Sequence, residues 1–201
     1  MEELYIKDSA THRGVPIIRD ESYKTLINIV KQISPKQILE IGTAVGYSGM
    51  AMLKNCGAHL TTIEHEKNLI AEASENFTDS GLADRVTLVC DDCLVQVAQM
   101  VADDKYNNFY DFIFLDGPKA QYDNMLDGLI MLLAPGGTLL VDNVLFRGYV
   151  YNPQLAPNNR FKTICKRLSK FIDRFLAHQE LTNAKLINQE DGMLIAQKVQ
   201  N

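Results

Sequence analysis

Short apolar runs bounded by polar turns alternate along this chain with segments whose apolar residues recur at helical spacing. The runs Gln37–Ile41, His59–Glu64, Val86–Cys90, Tyr110–Leu115 and 138–141 are predicted as strands. Between them the pattern predicts helices over about 48–55, 67–80 and 94–101, and from about 122 to just before Ala134-Pro135-Gly136-Gly137, a strong turn signal. Upstream, Asp20 or Ser22 is placed to cap a helix that runs to about Ile33, where Ser34-Pro35 ends it. Downstream, a long amphipathic helix is predicted over about 160–178. The last two runs, about 184–188 and Met193–Lys198, flank Glu190-Asp191-Gly192 and read as a hairpin. Strands alternating with helices in this way imply an α/β fold. Its sheet is mostly parallel with helices on both faces, and the hairpin is antiparallel.

A length of 201 residues suits one domain with a sizeable core, spanning residues 1–201. Hydrophobic content of 46% and charged content of 22% are ordinary for a globular protein. The net charge of −5 argues against wholesale coating of nucleic acid but leaves room for a local basic patch. No apolar stretch is long enough to cross a bilayer, so no membrane partner is expected. Met1-Glu-Glu-Leu-Tyr-Ile-Lys7 lacks the basic-then-apolar order of a signal peptide, which gives a cytoplasmic expectation. Cys90 and Cys93 form a C-x-x-C without a second ligand pair, and the four histidines show no zinc spacing. Reduced thiols are the expectation.

The run Gln37-Ile-Leu-Glu-Ile-Gly-Thr-Ala-Val-Gly-Tyr-Ser48 carries the most chemistry. It reads as a buried strand ending in a carboxylate, a glycine-bent turn and the start of a helix. Gly42 and Gly46 permit close backbone approach, and the helix N-terminus favours a ligand carboxylate. Together with Glu40 and Ser48, free turn amides would suit a ligand bearing both an ammonium and a carboxylate, such as the amino-acid end of S-adenosylmethionine. A dinucleotide site is disfavoured. The G-x-G-x-x-G fingerprint lacks its second glycine, and Glu40 would sit badly beside a pyrophosphate.

Polar residues fall at the carboxyl ends of successive predicted strands, where open α/β sheets bind ligands. Glu64 is suited to accept from both hydroxyls of a ribose, and Asp92 and Cys93 lie where an adenine edge would follow. Asp116, Asp142 and Asn143 offer oxygen donors only, a set that suits Mg²⁺ or Mn²⁺. Any one of these acids alone reads equally well as a helix cap or a solvated turn. Lys119 lies three residues after Asp116. A neighbouring cation disfavours an ammonium, which would suit Lys119 to act as general base toward a substrate hydroxyl.

Taken together, Leu39-Glu-Ile-Gly-Thr-Ala-Val-Gly-Tyr-Ser48, Thr62-Ile-Glu64, Leu115-Asp-Gly-Pro-Lys-Ala-Gln-Tyr122 and Val141-Asp-Asn-Val144 resemble the cation-dependent O-methyltransferases, the group that contains catechol and caffeoyl-CoA O-methyltransferases. The resemblance covers the chain from about Gly14 onward. It implies the Rossmann-like fold of class I methyltransferases, with seven strands. It implies S-adenosylmethionine and Mg²⁺ (or Mn²⁺) as cofactors, with Asp116, Asp142 and Asn143 as metal ligands and Lys119 as base. Ile18, Glu40, Gly42, Thr43, Gly46, Ser48, Glu64, His65, Asp92, Cys93 and Asp116 would surround the methyl donor. The family's reaction is in-line transfer of the sulfonium methyl to a substrate hydroxyl that the metal acidifies and orients.

Within that group the chain resembles the bacterial tRNA 5-hydroxyuridine methyltransferases, through Val15-Pro-Ile17, Gly42-Thr-Ala-Val-Gly-Tyr-Ser48, Lys119-Ala-Gln-Tyr122 and Asp142-Asn-Val-Leu-Phe-Arg-Gly148. A basic helix carrying Arg160, Lys162, Lys166, Arg167, Lys170 and Arg174 adds to it, with Asp173 the one acid among them. Its face is either solvated or a track for tRNA phosphates. Phe161, Ile164, Leu168, Phe171, Ile172 and Phe175 form its expected core side. The alternative substrate is a small molecule with vicinal oxygens, such as a catechol or hydroxycinnamoyl compound. A third reading is a cofactor-binding regulator without turnover. The resemblance also implies a homodimer and places residues 1–20 near the substrate entrance, although the segment before Val15 is shorter than in those relatives. Gly117-Pro118 and the lack of Trp leave no evident aromatic gate for a catechol. Residues 148–159 are expected to form a mobile loop, with Tyr149 and Tyr151 available either to stack on a base or to pack locally.

Overall fold

A computed structural model describes residues 2–200, with side chains from residue 5 onward. In chain order it contains α1 (Glu2–His12), α2 (Asp20–Ile33), β1 (Gln37–Ile41), α3 (Tyr47–Lys54), β2 (His59–Glu64), α4 (Lys67–Asp79), β3 (Val86–Cys90) and α5 (Cys93–Val101). There follow β4 (Tyr110–Leu115), α6 (Tyr122–Leu132), β5 (Leu133–Val141), α7 (Asn159–Leu176), β6 (Leu181–Ile187) and β7 (Met193–Lys198). The strands run in the order β3-β2-β1-β4-β5-β7-β6 in a seven-stranded sheet. The chain divides into two compact units, Met1–Gln96 and Val97–Asn201.

In the first unit β1, β2 and β3 pair in parallel, with Glu40 opposite Thr62 and Glu64 opposite Cys90. Ile38, Leu39 and Ile41 are wholly buried, as expected of a strand covered on both faces. α2 shows strong amphipathic order, burying Leu26, Ile27 and Val30. Its start corrects the expected cap: Asp20 and Ser22 lie inside the helix, and Arg19 precedes it without a side-chain cap bond. Lys7 of α1 instead pairs with Asp20. α1 itself has no counterpart among the predicted elements, because its polar and apolar residues have almost no helical periodicity. It buries Ile6 and Ala10 all the same.

α3 packs against this sheet through Gly49. A Cβ there would lie 2.8 Å from Leu60 Cδ2, 3.0 Å from Phe77 Cζ and 3.1 Å from Glu40 Oε2. Gly49→Ala is therefore expected to lower unfolding free energy by about 1–3 kcal/mol, the usual effect of overpacking. Urea denaturation with an unchanged slope checks this; an alanine variant as stable as the parent would refute the close packing.

In the second unit β4 and β5 pair in parallel, and β7 pairs antiparallel with both β5 and β6. The expected turn Ala134-Pro135-Gly136-Gly137 lies inside β5, not before it. Tyr110 pairs with Leu133 and Phe112 with Thr138, so the turn residues bulge out of register within the strand. Gly136 supplies the positive φ of 78° that the bulge needs. Lys198 Nζ braces the bulge by donating to Leu133 O at 2.9 Å and Ile130 O at 2.7 Å. β6 begins at Leu181, three residues before the predicted start, since its exposed Thr182 and Asn183 carry no apolar signal. No helix among the described residues is long and apolar enough to cross a membrane.

Candidate functional site

The first unit assembles most of the expected methyl-donor residues at the carboxyl ends of β1 and β2. Glu40 is wholly buried. Its carboxylate accepts from Ser48 Oγ at 2.5 Å and from Thr62 Oγ1 at 2.7 Å. Thr43 Oγ1 lies 2.6 Å from Thr62 Oγ1, extending the network. A buried charge held this way keeps a fixed orientation. The sequence reading quoted Thr62 only within Thr62-Ile-Glu64 and gave it no role in the site; of the two adjacent threonines of β2 it is the wholly buried one, which the sequence does not distinguish.

The turn after β1 uses left-handed backbone at Gly42 (φ 101°), Ala44 (φ 45°) and Gly46 (φ 83°). Its amides are not free as expected. Gly42 and Thr43 donate to Ile63 O at 3.0 and 3.3 Å, Gly46 to Thr43 O at 2.8 Å, and Ala44 to Glu64 Oε2 at 3.0 Å. A turn buried against β2 has to satisfy its own peptide groups. A ligand carboxylate would then be left to the N-terminus of α3, whose first amides have no partner inside the helix.

Glu64 also accepts at Oε1 from the amides of His65 (2.9 Å) and Glu66 (3.0 Å). Three amides thus fix a carboxylate that offers about four lone-pair positions, leaving room for about one further donor where two ribose hydroxyls were expected. The exposed His65 ring stands 3.1 Å from Glu64 Oε1 and 3.2 Å from Glu66 Oε1. Ile18 is buried ahead of α2. Asp92 caps α5, its Oδ1 accepting from Leu94 N at 2.8 Å and Val95 N at 3.3 Å. This is the plain helix-capping role open to any strand-end acid. Burial, reinforced by the charge of Asp92, pushes the Cys93 thiol up to about 11. Cys90 is exposed, and all four cysteines are free thiols.

The second unit brings together the expected metal and base residues. Asp116 directly follows β4, while Asp142 and Asn143 directly follow β5. Leu115 and Val141 are paired across the strands, and Asp142 N donates to Leu115 O at 3.0 Å. The two acids therefore stand side by side. Asp142 is fully buried; its Oδ1 accepts from Asn143 N at 2.7 Å, and its backbone oxygen from Tyr122 Oη at 3.3 Å. Asn143 adopts φ 58°, a left-handed conformation that asparagine tolerates better than most residues.

Lys119 sits in a short 3-10 turn, Lys119–Gln121, with Nζ 3.7 Å from Asp116 Oδ1. Burial raises the Asp116 carboxyl above its ordinary value; Lys119 pulls it back down, and Asp191 pushes it further up. Among the described residues no three His, Cys, Asp or Glu side chains cluster as a metal site. The candidate set is two carboxylates and an amide. These all-oxygen donors on adjacent strand ends fit a hard divalent cation that keeps several water ligands.

α7 is strongly amphipathic, capped by Asn158 Oδ1 accepting from Phe161 N at 3.0 Å. Cys165, Leu168, Phe171 and Phe175 form its buried stripe, while Phe161, Ile164 and Ile172 are only half-buried. Arg174 is occupied: it binds Asp123 Oδ1 at 3.1 Å and Asp127 Oδ2 at 2.5 Å on α6. Lys170 Nζ stays mostly exposed, 3.6 Å from Asp123. Arg160, Lys162, Lys166 and Arg167 are exposed. In the preceding loop, Tyr149 packs on Phe146 and Phe161, so local packing accounts for it, whereas Tyr151 is 58% exposed.

A model of the O-methyltransferase family matches residues 5–199. The chain belongs to that family. Membership makes it an S-adenosylmethionine-dependent O-methyltransferase. This O-methyltransferase is 27% identical over 173 residues to caffeoyl-CoA O-methyltransferase 2 of Petunia hybrida, covering 85% of this chain and 72% of that one. It is 27% identical over 128 residues to the caffeoyl-CoA O-methyltransferase of Stellaria longipes, spanning 63% of this chain and about half (53%) of that relative's length. A Staphylococcus aureus protein of known crystal structure superposes with TM-score 0.89 at 26% identity, over 98% of this chain and 92% of that one. The SAH-bound Podospora anserina methyltransferase PaMTH1 superposes with TM-score 0.78 at 26% identity, over 90% and 80%. The seven-stranded Rossmann-like sheet with its antiparallel C-terminal strands is thus the fold of solved O-methyltransferases.

Proposed function

We propose that this O-methyltransferase uses a divalent cation, Mg²⁺ or Mn²⁺, to methylate a hydroxyl beside a second oxygen, and that its substrate is 5-hydroxyuridine in tRNA. The observation that carries the RNA part is the outer face of α7. Arg160, Lys162, Lys166, Arg167 and Lys170 remain exposed after Arg174 has been neutralised by α6. Such a row suits a phosphate backbone, where each neutralised phosphate adds counterion release. The 5-hydroxyl and 4-carbonyl of the base supply vicinal oxygens.

Within the first unit, Glu40 faces a ligand ammonium with Ser48 and Thr62 fixing its orientation. Glu64 accepts from the ribose, Asp92 and Cys93 border the adenine, and Ile18 adds apolar contact. Within the second, Asp116, Asp142 and Asn143 hold the cation, and Lys119 Nζ, as the amine, takes the proton from the substrate hydroxyl. S-adenosylmethionine supplies the methyl group, and the cation supplies Lewis-acid polarisation of the hydroxyl. A homodimer is part of the same proposal, as is a cytoplasmic location. The alternative is a small molecule with vicinal oxygens, such as a catechol or hydroxycinnamoyl compound; the plant relatives are caffeoyl-CoA O-methyltransferases.

Labelled methyl transfer into tRNA bearing 5-hydroxyuridine, with Mg²⁺ and with chelator, beside a catechol control, tests the proposal. The expected result is Mg²⁺-dependent labelling of tRNA, with Lys166→Ala/Lys170→Ala raising its KM and flattening the salt dependence. Labelling of the catechol alone refutes the tRNA substrate.

A further inference from the structure

We propose that Asp191, in the turn between β6 and β7, is a positioning residue that holds the loop carrying Asp142 and Asn143 in its cation-binding shape; this rests on the metal reading above. That loop is built from unfavourable backbone. Asn143, Phe146, Arg147 and Gly148 all have positive φ, at 58°, 47°, 58° and 75°. Side-chain-bearing residues rarely enter this region unless something outside the loop holds them there.

The hairpin turn provides the hold. Val144 N donates to Gly192 O at 3.0 Å, Leu145 N to Asp191 O at 2.7 Å, and Arg147 N to Asp191 Oδ1 at 2.9 Å. The first two use backbone carbonyls that any sequence would supply. The third is a choice of side chain. Asp191 is only 7% exposed, although it sits at a hairpin turn where an aspartate is ordinarily solvated. Gly192 completes the fit: a Cβ there would lie 2.4 Å from Leu145 Cγ, so the loop and the turn are in direct contact.

The full-length protein is titrated with Mn²⁺ and followed by electron paramagnetic resonance, beside calorimetry with S-adenosylmethionine and thermal melting. Asp191→Ala is expected to weaken Mn²⁺ binding about 10- to 100-fold, the usual effect of removing a group that orients a metal ligand. S-adenosylmethionine affinity should stay unchanged. Asp191→Asn keeps an acceptor oxygen for the Arg147 amide and is expected to bind Mn²⁺ within about threefold of the parent. If Asp191→Ala fails to fold, Asp191→Glu replaces it, since it keeps the charge but displaces the acceptor by a methylene. Weakened Mn²⁺ binding is the expected result there too. Parent-like binding by the alanine or glutamate variant overturns the proposal, and so does an asparagine variant as weak as alanine. A parent protein that binds no Mn²⁺ overturns the metal reading itself and is told apart from those outcomes by the parent alone.

Discussion

Asp142→Ala is expected to lower methyl transfer about 10³-fold or more while S-adenosylmethionine still binds. Two properties of the residue set that magnitude. Asp142 is fully buried at the end of β5, directly beside the start of the Asp116 loop, and it is one of only two carboxylates in the proposed ligand set. A catalytic cation contributes several kcal/mol of charge stabilisation, and about 4 kcal/mol corresponds to about 10³ in rate. Asp142 Oδ1 also accepts from Asn143 N at 2.7 Å, so alanine releases the turn that aims a second proposed ligand. Asp142→Asn separates the two effects, because it keeps an acceptor for that amide while removing the charge. Single-turnover transfer of labelled methyl, beside Mn²⁺ titration, is the measurement. Activity of the alanine variant that persists in chelator would sink the metal mechanism.

The carboxyl-end chemistry was legible in the sequence because strand positions were. β1, β2, β3 and β4 run as the apolar periodicity predicted, and that places Glu40, Glu64 and Asp116 at strand ends without further information. What the periodicity could not carry was anything fixed by packing. α1 has almost no amphipathic pattern and is seated by Ile6 and Ala10. The Ala134–Gly137 signal marked an irregular stretch of backbone, but a bulge inside a paired strand and a turn before one look the same in a sequence. The free amides expected of the Gly42–Gly46 turn were lost to Ile63 and Glu64, partners 20 or so residues away in sequence. Asp191 was legible only as a turn residue; its role depends on which loop the hairpin meets. The basic helix was read correctly as amphipathic, yet the loss of Arg174 to α6 depends on a pairing between helices that a single-helix pattern does not contain.

Lys119→Ala is expected to lower kcat by about 10²- to 10⁴-fold, the usual contribution of a general base, with little change in S-adenosylmethionine affinity. Geometry gives the side chain two candidate roles. Nζ lies 3.7 Å from Asp116 Oδ1, so it is a charge partner of a proposed metal ligand as well as a possible proton acceptor. The sign of the charge role can be worked out. Burial already raises the Asp116 carboxyl and Lys119 opposes that rise, so removing Lys119 lets the carboxyl climb further. A proton then competes with the cation to a higher pH than before, and raising the pH restores cation binding. Assaying Lys119→Ala at alkaline pH therefore removes the indirect effect and leaves the loss of the base. Lys119→Arg makes the separation sharper. A guanidinium keeps the positive charge beside Asp116 but stays protonated across the working range and cannot accept a proton. The arginine variant is expected to bind Mn²⁺ like the parent and to remain as slow as alanine. An arginine variant with parent-like turnover would show that Lys119 acts through its charge on Asp116, and the proton would then have to leave the substrate by another route.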